Sequence, residues 1–166
     1  MSRYARQTVL PQVGAEGQER LATAHVLVVG AGALAVPVLQ YLVGAGVGQI
    51  TLVDGDVVAM SNLHRQPLYR MDDIDRPKVS AAAKAMAALN PEVTVMPRAE
   101  WLTPANAPAL LAESDIALDC AVRRQPDAFG WGLGTGQTAD LGFGAWAVWL
   151  CWRLLRACPL SPRGFP

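Results

Sequence analysis

Apolar residues along the chain come in short unbroken blocks divided by glycine and by polar stretches, the pattern of strands covered on both faces in a parallel sheet. His25 to Gly30 (HVLVVG) is the first block. Leu34 to Val43 follows as a helix, with Pro37 in the first turn, where its missing N–H costs no hydrogen bond. Gly44, Gly46 and Gly48 end that helix. Ile50 to Asp54 (ITLVD) supplies a second strand, so residues 25–54 have the length and order of a right-handed strand–helix–strand crossover. After a long polar loop from Gly55 to Asp75, Lys78 to Leu89 (KVSAAAKAMAAL) reads as an alanine-rich helix, with Asp75 as its cap, Pro77 in its first turn and Asn90-Pro91 as its stop. Val93 to Met96 gives a third strand, Pro104 to Ala112 a helix and Asp115 to Cys120 (DIALDC) a fourth strand. Strands and helices alternating in this order specify an α/β fold with a doubly wound, mostly parallel, Rossmann-like sheet.

At Val122 the character of the sequence changes. From there to Pro166 there is no Lys, Glu, Ile, Met, Asn, Tyr or His, while Trp131, Trp146, Trp149 and Trp152 are four of the five tryptophans. Glycines in 130–144 are too dense for a stable helix or central strand. The reading therefore separates a domain over 1–121, truncated after its fourth strand, from an atypical Trp/Gly/Arg-rich tail over 122–166. Translation in a shifted frame and disorder are the two accounts of that tail.

Composition narrows the function classes. Fourteen basic residues balance fourteen acidic ones, so no field of one sign is present to hold a nucleic acid backbone or an anionic membrane. Cys120, Cys151 and Cys158 are odd in number and make no CxxC pair, which favours a reducing cytoplasm over a disulfide framework and gives no reason to expect zinc. The N-terminal residues lack the apolar middle region of a signal peptide, and Leu141 to Trp152 falls short of a spanning helix. The expectation is a soluble, cytoplasmic protein.

The residues that can carry chemistry begin at Gly30-Ala31-Gly32-Ala33-Leu34-Ala35, between a strand and a helix, where backbone N–H groups and the helix dipole favour phosphate. Asp54 ends the next strand, where a carboxylate either accepts hydrogen bonds from ribose hydroxyls or caps the loop. Up to this point a dinucleotide-dependent dehydrogenase fits as well. Asp56 is equally suited to satisfying loop amides. Ser61-Asn62-Leu63-His64-Arg65-Gln66, with Arg76-Pro77-Lys78, shifts the balance toward a triphosphate, because it sets a forked guanidinium and an ammonium beside the glycine loop. Lys78 stands in what reads as an exposed first turn, where a cation opposes the helix dipole and so asks for a functional reason.

RYARQ at 3–7, GAEGQERL at 14–21, the block 26–48, ITLVDGDVV at 50–58, SNLHRQ at 61–66, RPK at 76–78, LNP at 89–91 and DIALDC at 115–120 together resemble the ThiF/MoeB/HesA family of adenylyltransferases. The resemblance covers about the first 121 residues, every block in order. It implies a Rossmann-like ThiF/MoeB fold and an enzyme that uses ATP and Mg²⁺ to adenylate the C-terminal carboxylate of a ubiquitin-like sulfur-carrier protein, as a homodimer. By that resemblance Gly30, Gly32, Ala33, Asp54 and the run Ser61, Asn62, Leu63, His64 and Arg65, together with Lys78, meet the nucleotide. Asp54 takes the ribose, while Asn62, Arg65 and Lys78 take the phosphates. Arg6 corresponds to the arginine that reaches the partner subunit's ATP, and Arg65, Lys78 and Arg6 carry the catalytic charge. His64 is a loop residue rather than a base or metal ligand.

Two departures from the family pattern bear on that expectation. Ala33 and Ala35 stand where the family has glycine, and Val122 stands where it has an aspartate that helps hold Mg²⁺ and ATP. The family's later strands, carrier-tail loop, CxxC zinc pairs and transfer cysteine have no counterpart after residue 121, and neither Cys151 nor Cys158 is assigned to catalysis or zinc. The alternative reading is an inactive nucleotide-binding remnant of the same family.

Overall fold

A computed structural model describes residues 3–121, and the expectations placed on the 122–166 tail lie outside these described residues. Four parallel strands, β1 (His25–Val29), β2 (Gln49–Val53), β3 (Thr94–Arg98) and β4 (Ile116–Asp119), form one sheet in the order β3-β2-β1-β4. The helices are α1 (Ala5–Thr8), α2 (Gly14–Thr23), α3 (Ala35–Ala45), α4 (Lys78–Leu89) and α5 (Ala107–Ala112). The α/β reading and all four strands are borne out, with ends moved by one or two residues.

Period-2 alternation divides each strand between two faces. Val26 and Val28, Ile50 and Leu52, and Leu118 join the larger apolar cluster with Leu39, Leu42 and Val43 of α3 and Val79, Ala82 and Met86 of α4. Leu27 and Val53 turn to the opposite face and meet Leu110 of α5. Pro97 is accommodated because β3 is an edge strand, where a missing N–H breaks no ladder. The chain leaves β1 in one direction through α3, β2, α4 and β3, then returns through α5 to β4 on the other side of β1. The β1–β4 junction is therefore the topological switch point, where ligands of open α/β sheets bind at the strands' C-terminal ends.

Some expectations need correction. Asp75 does not cap α4: Pro77 occupies the N-cap without a side-chain cap bond, and Asp75 adopts φ +67 while its N–H donates to Val58 O at 2.9 Å. The 55–75 loop contains two short 3₁₀ turns, Met60–Asn62 and Met71–Asp73. The last helix starts at Ala107 rather than Pro104, because Asn106 Oδ1 accepts from the Thr103 N–H at 2.7 Å and holds the chain in a turn.

Cys120 is buried at the end of β4, and desolvation, with a smaller contribution from the Asp119 charge, pushes its thiol up to about 12. A thiol held protonated is a poor nucleophile, which removes Cys120 from covalent chemistry. Because its folded value lies above its ordinary value of 9.0, its stabilising contribution is complete below pH 9 and is lost as pH rises toward 12.

Two outcomes follow. Native chain treated with iodoacetamide near pH 8 should leave Cys120 unmodified in peptide mapping, and unfolded chain should not. Gly48→Ala should lower stability by about 3 kcal/mol in urea unfolding, because a Cβ there would overlap the backbone carbonyl of Ala22 while the Gly48 N–H is committed to Leu21 O at 2.9 Å.

Candidate functional site

The site grows from the turn that ends β1. Gly30 has φ +91, and a Cβ on it would stand 3.0 Å from both the Ala121 nitrogen and the Cys120 carbonyl carbon, so glycine alone fits where β1 and β4 diverge. Beyond it, Ala31 is fixed from both sides: its N–H donates to Asp54 Oδ2 at 2.6 Å, and its carbonyl accepts from the Tyr69 hydroxyl at 2.6 Å. Burial first, then the charges of Asp54 and Asp73, raise the Tyr69 phenol above its ordinary range, so it stays a donor.

With the loop held there, the N–H groups of Gly32, Ala33 and Leu34 have no partner among the described residues. They lie at the head of the 11-residue α3, whose dipole adds positive character. Ala33 is not in the left-handed region, since Asp75 is the one non-glycine residue with positive φ among those described, so its methyl strains nothing. Gly32 is not demanded by internal packing either: a Cβ on it would make ordinary contact, 3.7 Å from Gln66 Nε2. Its openness leaves room for a ligand to approach the backbone.

Asp54 is buried at the end of β2, and its two oxygens are divided between amides: Oδ2 takes Ala31 N–H, and Oδ1 takes Asp56 N–H at 2.8 Å. The loop-capping role is thus present. Each carboxylate oxygen keeps a second lone pair that can accept a further hydrogen bond. Asp56 does not serve loop amides with its carboxylate but pairs with Lys78, Nζ to Oδ2, at 2.9 Å.

The expectation of an exposed Lys78 is wrong. Its side chain is 5% exposed, because the start of α4 is stapled to the loop by the Val57–Pro77 bridge and by the Lys78 N–H donating to Asp56 O at 3.0 Å.

In the 61–66 segment, Arg65 folds back on its own turn, donating to Ser61 O at 2.9 Å and to Asn62 Oδ1 at 3.0 Å. Ser61, Asn62 and Arg65 are brought together, while Leu63 packs on the core and His64 is exposed. Arg6 is not brought to this site. Its helix is anchored by Gln7 Nε2 donating to Ala45 O at 2.8 Å, at the far end of α3 from the glycine loop, about 16 Å away at 1.5 Å per residue.

Sequence reasoning missed two neighbours. Gln66 reaches Gly32, and the Trp101 ring lies over Gly55, next to Asp54, so that a Cβ there would collide with it. A lone tryptophan just past β3 was the available signal for the second. Gln66 offered none beyond its place beside Arg65.

Comparison with known proteins agrees with the parallel α/β fold. The chain is 53% identical over 121 residues to the sulfur carrier protein adenylyltransferase of Thermus thermophilus, covering 73% of this chain and 45% of that protein. It is 50% identical over 119 residues to the adenylyltransferase and sulfurtransferase MOCS3 of Sus scrofa, covering 72% of this chain and 26% of the relative. The chain thus spans less than half the length of these relatives. The crystal structure of E. coli tRNA N6-threonylcarbamoyladenosine dehydratase, TcdA, in complex with ATP matches with a TM-score of 0.67 at 28% identity, over 72% of this chain and 49% of that one. The ThiF family model matches residues 4–125, well over half of the sequence, and the chain belongs to the ThiF family.

Proposed function

We propose that this chain provides the nucleotide half of an ATP-dependent adenylyltransferase acting on the C-terminal carboxylate of a ubiquitin-like sulfur-carrier protein. The observation that carries the reading is the set of three amides, Gly32 to Leu34, without a partner among the described residues at the head of α3, with a buried carboxylate bonded to the same loop and a buried lysine joined to that carboxylate through Asp56. Free amides at a helix N-terminus bind phosphate, and Lys78 adds a full charge at low exposure, where it is weakly screened. The names of the Thermus and porcine relatives supply the reaction class and, for the former, the carrier.

In this proposal Gly30 makes the left-handed turn that brings the loop to the phosphate chain, Gly32 lets that chain approach the backbone, and Ala33 contributes its N–H. Asp54 accepts from the ribose with its remaining lone pairs. Asn62, Ser61 and Arg65 form a pre-assembled turn whose guanidinium exchanges its present carbonyl and amide partners for phosphate oxygens, with Leu63 anchoring the turn and His64 outside the chemistry. A carrier carboxylate oxygen then bonds to the α-phosphorus as the α–β bridging bond breaks, giving an acyl-adenylate and pyrophosphate. The step needs no protein nucleophile; positioning and charge stabilisation carry it.

Among the described residues no three of His, Cys, Asp and Glu gather as a cation site, and Asp56 is already paired, so Mg²⁺ enters as Mg-ATP, held by phosphates and water. Arg6 acts in trans: anchored at the far end of α3, it reaches an ATP only across a homodimer. A cytoplasmic location fits a carrier-dependent enzyme, and among the described residues no helix is long and apolar enough to cross a membrane.

A second reading is favoured by one sequence observation. Val122, at the place of the family's aspartate, offers no ligand for the metal, which points to a member that binds nucleotide without turning it over.

Three measurements test these readings. Lys78→Met keeps the buried stem and removes the charge, and should weaken Mg-ATP binding by about 1.5–3 kcal/mol in calorimetric titration without lowering the unfolding midpoint. Unchanged affinity would take Lys78 out of the site. Arg65→Lys, which cannot form a forked contact, should weaken binding as well. Carrier-dependent exchange of pyrophosphate into ATP separates enzyme from remnant: Val122→Asp should raise Mg-dependent affinity, and robust exchange by the unmodified chain would sink the second reading.

A further inference from the structure

Gln66 is 4% exposed, and its Oε1 is fully buried with no hydrogen-bond partner, the one such side-chain atom among the described residues. Its Nε2 also lacks a partner there and lies 3.7 Å from the place a Gly32 Cβ would occupy. The backbone around it is fully engaged. Gln66 N–H donates to Asn62 O at 3.0 Å, its carbonyl accepts from Tyr69 N–H at 3.2 Å, and the Tyr69 hydroxyl fastens the same segment to Ala31 O. The carboxamide is therefore held against the glycine loop by a segment that has little freedom to turn it elsewhere.

A methionine or leucine would fill this volume without leaving a buried acceptor unsatisfied, so packing alone does not explain a carboxamide here. What an amide adds is a neutral N–H donor beside Gly32, the first of the three residues whose backbone N–H groups are without a partner among the described residues. We propose that Gln66 is a phosphate-contacting residue: Nε2 donates to an oxygen of the phosphate chain seated on those amides, and the unpartnered Oε1 is tolerated in the nucleotide-free chain because it comes with that donor. The assignment rests on the nucleotide reading above. It extends the anion site from the loop backbone to a buried neutral side chain, which strengthens a phosphate contact without the desolvation cost of another buried cation.

The test uses the full chain and compares wild type, Gln66→Met and Gln66→Glu, each by Tm without nucleotide and by titration with Mg-ATP. Gln66→Met should raise the Tm, because the buried unpartnered atom is gone, and should weaken Mg-ATP binding roughly tenfold or more. Gln66→Glu should bind more weakly still at neutral pH, because it sets a carboxylate against the phosphates. Stability and affinity moving in opposite directions is a signature that a filler residue cannot give. A Met variant that binds as tightly as wild type, one that loses stability and affinity together, or a Glu variant that binds better than the Met variant overturns the assignment and leaves the nucleotide reading standing. A wild-type chain with no measurable Mg-ATP affinity overturns both.

Discussion

The site depends first on the Asp54 carboxylate, which joins two loops that the sheet alone would leave apart. One oxygen holds the Ala31 N–H of the glycine loop and the other holds the Asp56 N–H at the start of the 55–75 loop. From Asp56 the connection runs through an ion pair to Lys78, the first residue of α4. Hydrogen bonds from amides to an ionised carboxylate are shorter and stronger than neutral ones, and at a buried position they are weakly screened. A chain of three polar contacts thereby sets the glycine loop, the Asp54 carboxylate and the Lys78 ammonium in one frame. With Ala31 committed to Asp54 and Tyr69, the next three amides are left to face outward.

The two leading glycines of that loop answer different constraints. Gly30 is required by the protein itself, since its left-handed backbone and the Cys120–Ala121 peptide leave no room for a Cβ where β1 and β4 part. Gly32 is required by nothing inside the described residues, so its value lies in what it leaves accessible. The same distinction disposes of Ala33: the position needs no positive φ, and a methyl group there is compatible with the loop as it stands. Of the departures from the ThiF-family pattern, the alanine at position 33 is thus compatible with the described loop, while Val122, outside the described residues, differs from the pattern by the loss of a carboxylate.

Most of the sheet was legible in the sequence because a strand buried on both faces is an unbroken apolar run, and HVLVV and ITLV are such runs ended by glycine or acid, while IALD is a shorter apolar run that is only partly buried. The lysine-led alanine helix was legible to the residue for a similar reason, its ends being marked by Pro77 and by Asn90-Pro91. α2 was not placed, since GAEGQERLAT carries two glycines and buries only Gly17 and Leu21 of its ten residues, so its apolar face has almost no periodic signal. At the site, residue types were legible and their environments were not. The burial of Lys78 depends on the Val57–Pro77 bridge, a contact twenty residues apart that no local pattern encodes. The Asp56 pairing follows from that burial, and the orphaned Gln66 carboxamide follows from Tyr69 reaching Ala31 across 38 residues.

The placement of Lys78 carries two electrostatic costs. As the first residue of α4 its ammonium sits near a helix N-terminus, where a cation is disfavoured by the dipole, and its side chain is almost fully buried, which is a second cost. Its compensating partner, Asp56, is 54% exposed, so the pair's attraction is moderated by water on the carboxylate side. A cation under two costs and with a half-solvated partner is one whose charge is incompletely compensated within the described residues. The amides of Gly32 to Leu34, carrying the positive end of α3 with no acceptor, are in the same condition. Two separately built sources of positive potential are fastened together through Asp54, and in the proposed reading one phosphate chain would compensate both.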